Sequence, residues 1–246
     1  MSETNAKQPE SLPPKETATR RCANAGIAAG WRLMWNEIET IRAYVDSVDA
    51  ALKREAKEFD DWVANQVAGL PERPASDFCE HHAETADNLT RHFPEFAWRT
   101  TFVAIYSFLE DEMVDIARTA GRHLGIELDP DDLRDNGILA AKKYLQGLCG
   151  IAFPEGKHPW QEAIHYKRLR DSIVHYRGCL NRANDSKREQ IEKYVKGKRW
   201  ISIDCNSCLQ LSKEFCLEVL KNVETLLDDL FKLAQERCNA AAEAAK

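Results

Sequence analysis

From Trp31 the apolar positions fall at Trp31, Met34, Ile38, Ile41, Val45, Val48, Leu52, Phe59 and Trp62, in steps of three and four with one gap at Glu55. Such steps return to one face of a 3.6-residue helix, so a long amphipathic helix is predicted over residues 25–70. Its seam can zip to a second copy as a coiled coil or lie along the rest of the chain, and packing within the chain is the preferred reading. The stretch Gly69-Leu70-Pro71-Glu72-Arg73-Pro74 breaks this helix, and Asp77 offers an N-cap to a shorter one carrying His81, His82 and His92. After Pro94 a second long helix runs to about Leu124, with Phe96, Phe102, Ile105, Tyr106, Leu109, Met113 and Ile116 on a broad apolar face. Asp129-Pro130-Asp131-Asp132 starts a short helix to about Leu148, and Gly150 through Lys157 is a loop. Pro159 to Leu180 reads as one helix, with Pro159 in its first turn, Trp160, Ile164 and Ile173 in an apolar stripe, and Gly178 at its end. Arg199 to Asp204 alternates as a short extended segment. Ser207 and Gln210 then form a capping-box pattern for a last long helix, Leu209 to about Cys238.

This pattern is all-α: a helical bundle over residues 75–242, preceded by the long helix and by a disordered tail over residues 1–24, where Pro, Lys, Glu, Thr and Ser leave almost nothing to bury. At 246 residues and 43% hydrophobic, the chain can bury a sizeable core. No apolar run approaches the roughly 20 residues that span a bilayer, and the start lacks a basic-then-apolar export signal, so a cytoplasmic protein with no membrane partner is expected. The eight cysteines are scattered through helical patterns, so free thiols are expected rather than disulfides. The C-x-x-C of Cys205 and Cys208 lacks two further zinc ligands nearby and is read as incidental, and adjacent His81 and His82 point about 100° apart on a helix; no metal is expected.

Charge changes the picture more than composition does. Residues 157–199 carry 12 Lys and Arg against 5 Asp and Glu, net +7, in a chain whose total is −6. A basic segment in an otherwise acidic protein attracts phosphates locally. Within it lies Arg170-Asp171-Ser172-Ile173-Val174-His175, on a helix that also carries Lys167, Arg168 and Arg177. Five helical steps turn about 140°, yet a guanidinium arm is long enough to reach toward the imidazole, and Asp171, one turn before His175, is placed to orient that ring. Fixed cation, titratable ring and supporting carboxylate suit phosphodiester chemistry; a surface ion-pair ladder uses the same spacing. Upstream, Glu110, Asp111, Glu112 and Asp115 form an acidic cluster of which Glu110 is the candidate partner for the basic helix.

R-D-x-x-x-H near the end of a helix that begins with Trp, in an all-helical chain, resembles the HEPN superfamily, marked by an Arg, a polar residue and a His four to six residues after the Arg. Arg170, Asp171 and His175 match position by position, and Phe102-Val-Ala-Ile-Tyr106-Ser107-Phe108-Leu109-Glu110 resembles the aromatic, Ser- and Glu-bearing helix packed beside the motif. The likeness covers roughly residues 95–235. It implies a HEPN-like bundle and a metal-independent endoribonuclease of the toxin–antitoxin or phage-defence kind, without cofactor. Arg170 and His175 are then catalytic, Asp171 orients, and Lys167, Arg168, Tyr176 and Arg177 bind RNA. The implied partners are a second copy of the chain facing the first, RNA, and an antitoxin or other neighbouring protein. Other members only bind, so the alternative is a non-catalytic dimeric module for a nucleotide or protein. One branch carries a modifiable Tyr two residues after the His; that position is Arg177 here, and Tyr176 comes one residue early.

Overall fold

The computed structural model describes the backbone of residues 15–244 and the side chains of residues 30–244. Of the expected tail, residues 1–14 lie outside the described residues, while the backbone from Lys15 is helical, so the first helix begins well before its apolar seam. The chain then runs α1 (Lys15–Val67), α2 (Glu72–His81), α3 (Ala83–Asp87), α4 (Phe93–His123), α5 (Ile138–Lys143), α6 (His158–Tyr176), α7 (Asp185–Val195), β1 (Ile201–Ile203), β2 (Leu209–Leu211) and α8 (Lys213–Ala244). The fold is all-α apart from the two short strands, which pair antiparallel with Ile201 opposite Leu211.

The core lies where α4 and α8 pack together, with α1 and α6 against both. Helix α8 buries Phe215, Cys216, Val219, Leu220, Val223, Leu226, Leu227 and Leu230, a three–four repeat that gives a continuous face. Phe102 of α4 stands 5.8 Å from the Phe215 ring and 6.2 Å from Tyr166 of α6. The α1 seam is consumed inside the chain: Met34, Ile38 and Val45 are wholly buried, with Ile41, Val48 and Leu52 packed beside them. Lys213 holds Asp46 at 2.9 Å and Asp49 at 3.0 Å, and Arg42 holds Glu224 at 3.0 Å, fixing α1 on α8. Beyond the core, Trp62 of α1 meets Phe78 of α2 and His82 just after it at ring separations of 5.6 and 5.0 Å.

Three element boundaries differ from expectation. Helix α2 starts at Glu72, so Asp77 lies inside it rather than at its cap; Pro74 falls in the first turn, where a missing N–H costs nothing. Asp129 and Asp132 cap each other over a single turn, Pro130–Asp132, and α5 begins only after Gly137. Gly137 has φ 59° and presses on the Glu110 carboxylate, so the chain turns there in a way a side chain would block. Ser207 does not cap the last helix. Its φ of 60° is left-handed, whereas an N-cap needs extended backbone, and Leu209–Leu211 is strand. Asp204 organises that loop instead, accepting from the Cys208 N at 2.8 Å, the Asn206 N at 2.9 Å and the Gln210 side chain at 3.0 Å. These bonds, the one from Cys208 foremost, hold its carboxyl below the usual range. Ser212, with its hydroxyl accepting from the Phe215 N at 3.3 Å, starts α8.

The expectation of free thiols fails at one pair: Cys179 and Cys208 form a disulfide. They stand opposite one another across an antiparallel bridge between the segment after α6 and the β1–β2 loop. Only the folded path brings two segments 29 positions apart into that register.

Candidate functional site

Helix α6 buries Trp160, Ala163, Tyr166, Leu169 and Ser172, which turns the positions between them toward neighbouring helices or solvent. It ends at Arg177, φ 56°, and Gly178, φ 76°, with the Gly178 N–H donating to the Ser172 carbonyl at 3.1 Å. A left-handed pair closing on a carbonyl six residues back is a Schellman-type stop.

Arg170 sits in the angle between α6 and α4. Its Nη1 donates to Asp171 Oδ1 at 2.9 Å, its Nη2 donates to Glu110 Oε2, and its guanidinium carbon lies 4.9 Å from the centre of the Tyr106 ring. Burial works against the charged form, but the Glu110 bond and charge outweigh it and the pKa is raised. Tyr106 is buried and its phenol is pushed up, by burial first and Glu110 next. The phenol oxygen has no hydrogen-bond partner among the described residues, nor has Ser172 Oγ. A guanidinium carries five N–H donors, and the two bonds above leave others free.

Asp171 does not orient His175 within the chain. Its second oxygen accepts from Lys167 at 3.0 Å, and no hydrogen bond joins it to the imidazole among the described residues. His175 lies exposed, its ring 6.3 Å from that of Tyr176. Arg170 and His175 therefore share a helix but are not brought together in one chain. Among the residues expected to bind RNA, Lys167 is tied to Asp171, Arg168 Nη1 lies 3.3 Å from His165 Nδ1, and Tyr176 is half-buried. Arg177 is exposed and makes no ion pair among the described residues.

Two features went unread in the sequence. Arg99 of α4 donates to the Leu209 carbonyl through Nε at 3.0 Å and Nη2 at 2.8 Å and packs on Gly178, so it supports the turn after His175. Glu162, buried on α6, accepts from Tyr194 at 2.6 Å and from Lys198 at 3.0 Å. Burial raises its pKa, but those bonds outweigh burial and the carboxylate is held below its usual range. His165 stacks on Tyr194 at 4.3 Å; its pKa is lowered, by burial first and Arg168 next.

Among the described residues no three His, Cys, Asp or Glu side chains converge as a metal-ligand set, and no helix is long and apolar enough to cross a membrane. Comparison with family models, with curated proteins and with solved structures finds no match to this chain.

Proposed function

We propose that this chain is a HEPN-like, metal-independent endoribonuclease that works as a homodimer, in the manner of a toxin or phage-defence effector. The observation that carries the reading is the Arg170 clamp, in which the motif arginine is placed by Glu110 and Tyr106 of α4 while His175 stands exposed farther along the same helix. Metal-free RNA cleavage needs a base for the 2′-OH, an acid for the departing 5′ oxygen and positive charge on the phosphate. At the motif one chain supplies one exposed imidazole, that of His175. Two chains paired about a two-fold axis through this face supply a base, an acid and two guanidinium groups. Attack by the 2′-OH forms the bond to phosphorus and releases the 5′ oxygen as a hydroxyl, leaving a 2′,3′-cyclic phosphate; DNA, lacking the 2′-OH, resists.

A second reading rests on the same clamp. Two carboxylates already oppose the single Arg170 charge, which suits a dimeric module binding a nucleotide or protein without cleaving. Mixed cellular RNA incubated with the full chain in EDTA separates them. The expected result is cleavage that falls ~10²–10⁴-fold in His175→Ala with an unchanged circular dichroism spectrum. Intact RNA, or undiminished cutting by the variant, would overturn the ribonuclease reading.

A further inference from the structure

The end of α6 is stitched to the β1–β2 loop at a single place. Cys179 and Cys208 are joined there with Cα atoms 4.1 Å apart. Their neighbours carry the backbone bonds: the Leu180 N donates to the Ser207 carbonyl at 2.9 Å, and the Leu209 N to the Gly178 carbonyl at 2.9 Å. The cysteines thus occupy a non-hydrogen-bonded pair of the ladder, where facing side chains come closest. On either side of the crosslink lie the two non-glycine residues of positive φ among the described residues, Arg177 at 56° and Ser207 at 60°. Residues held in that region persist where the surroundings over-determine them. The surroundings here are the disulfide, the two backbone bonds and the Arg99 grip on Leu209. His175 lies two residues before Arg177, in the last turn of α6, which this turn closes.

We infer that the Cys179–Cys208 disulfide is a reversible redox switch acting on the His175 end of α6. Oxidised, it pins the turn; reduced, it lets the two left-handed residues relax and the last turn of α6 move. A dithiol reductant works it. Its thiolate attacks one sulfur and breaks the S–S bond to give a mixed disulfide; its second thiol then displaces the remaining cysteine. Two electrons and two protons pass to Cys179 and Cys208, and the reductant leaves as its own disulfide. Both sulfurs belong to half-exposed residues within reach of such a reagent. Cys149, Cys216 and Cys238 are buried, and burial pushes their thiols up, Cys216 to about 12 and Cys149 to about 11, which keeps them out of exchange. Exposed Cys205, three residues before Cys208, supplies an internal control.

The redox state sets the position of the His175 end of α6 whatever the site acts on. Nuclear magnetic resonance of the full chain, with and without dithiothreitol, reads it through the His175 ring signals and amide exchange at Leu180 and Leu209. Reduction is expected to move the ring signals and speed exchange at both amides by ~10-fold or more, leaving buried α8 amides such as that of Leu220 unchanged. Cys179→Ser reproduces the reduced spectrum, and Cys205→Ser still responds. Should the serine variant not fold, reduction of the unsubstituted chain carries the test alone. Unmoved His175 signals and unchanged exchange, once alkylation shows both thiols free, would overturn the switch. So would peptide mapping that finds Cys208 bonded to Cys205. Absence of RNA cleavage in both redox states counts against the ribonuclease reading and leaves this readout intact.

Discussion

Replacing Glu110 with Gln keeps the shape at the α4–α6 junction and removes the charge that holds Arg170. The two side chains are 18% and 24% exposed, so the pair is largely but not wholly withdrawn from water. Breaking a fully buried pair costs about 3–5 kcal/mol, and a hydrogen bond to a charged group contributes about 1.5–3 kcal/mol. Here Asp171 keeps its hold at 2.9 Å and the Gln carbonyl can still accept, so the low end applies, ~1.5–2 kcal/mol. For a chain of this size that lowers Tm by about 3–8 °C. Arg170→Met alone leaves Glu110 buried without its cation, and the double variant removes both charges. Denaturant unfolding of the four proteins therefore gives a coupling energy of ~1–2 kcal/mol. Effects that add to within about 0.5 kcal/mol would refute the claim that this pair joins the two helices.

Two further outcomes follow from the same geometry. Glu112 of α4 has its pKa pushed up to about 7, by burial first and then by Asp115, Glu37 and Asp111. Its folded-state pKa lies above the unfolded value, so the native state binds more protons between pH ~4.5 and ~7 and stability falls as pH rises through that window. Discounted for solvent screening on a half-exposed carboxyl, the loss is ~1 kcal/mol. Glu112→Gln should abolish it, and identical urea midpoint differences between pH 5 and pH 8 in the parent and the variant would show that the group does not titrate so. If each chain contributes one imidazole to a shared cleft, cleavage per chain should fall on dilution in step with the dimer fraction seen by analytical ultracentrifugation; a monodisperse monomer of undiminished activity would sink the composite site.

What could be read in advance was what local periodicity controls. The repeats of α1 and α4 were legible because a single buried face repeats over many turns, and Glu110 stood out as a carboxylate that could pair with the basic helix. The ends of elements were less legible. Ser207 and Gln210 spell a capping box, yet the Asp204 carboxylate takes the nearby N–H groups and turns the chain left-handed at Ser207 before a cap can form. Asp171 sits one turn from His175 as a supporting carboxylate should, but Lys167, one turn on its other side, and Arg170 beside it take its two oxygens. The Cys179–Cys208 pair has no local signal at all: its partners meet only after α7 and the hairpin fold back onto the end of α6.

The charges around the motif decide where a phosphate can bind. Lys167 and Arg170 are matched within one chain by Asp171 and Glu110, two cations against two anions, so neither of these two offers an unmatched charge, while Arg168 lies against His165. Arg177, exposed and without an ion pair among the described residues, stands two positions from His175 at the end of the helix, where the dipole is least welcoming to an anion and a free guanidinium counts most. On the ribonuclease proposal, RNA should therefore lean on Arg177 and hardly at all on Lys167. Arg177→Asn keeps a residue that tolerates the left-handed backbone, so loss of affinity reports charge rather than a broken turn. Fluorescence anisotropy with single-stranded RNA across salt concentrations should show the slope of log K against log[salt] reduced by ~0.7 in this variant. Lys167→Ala should leave it near the parent value. The reverse ranking would mean that Asp171 releases Lys167 on binding and that the phosphate sits nearer Arg170 than His175.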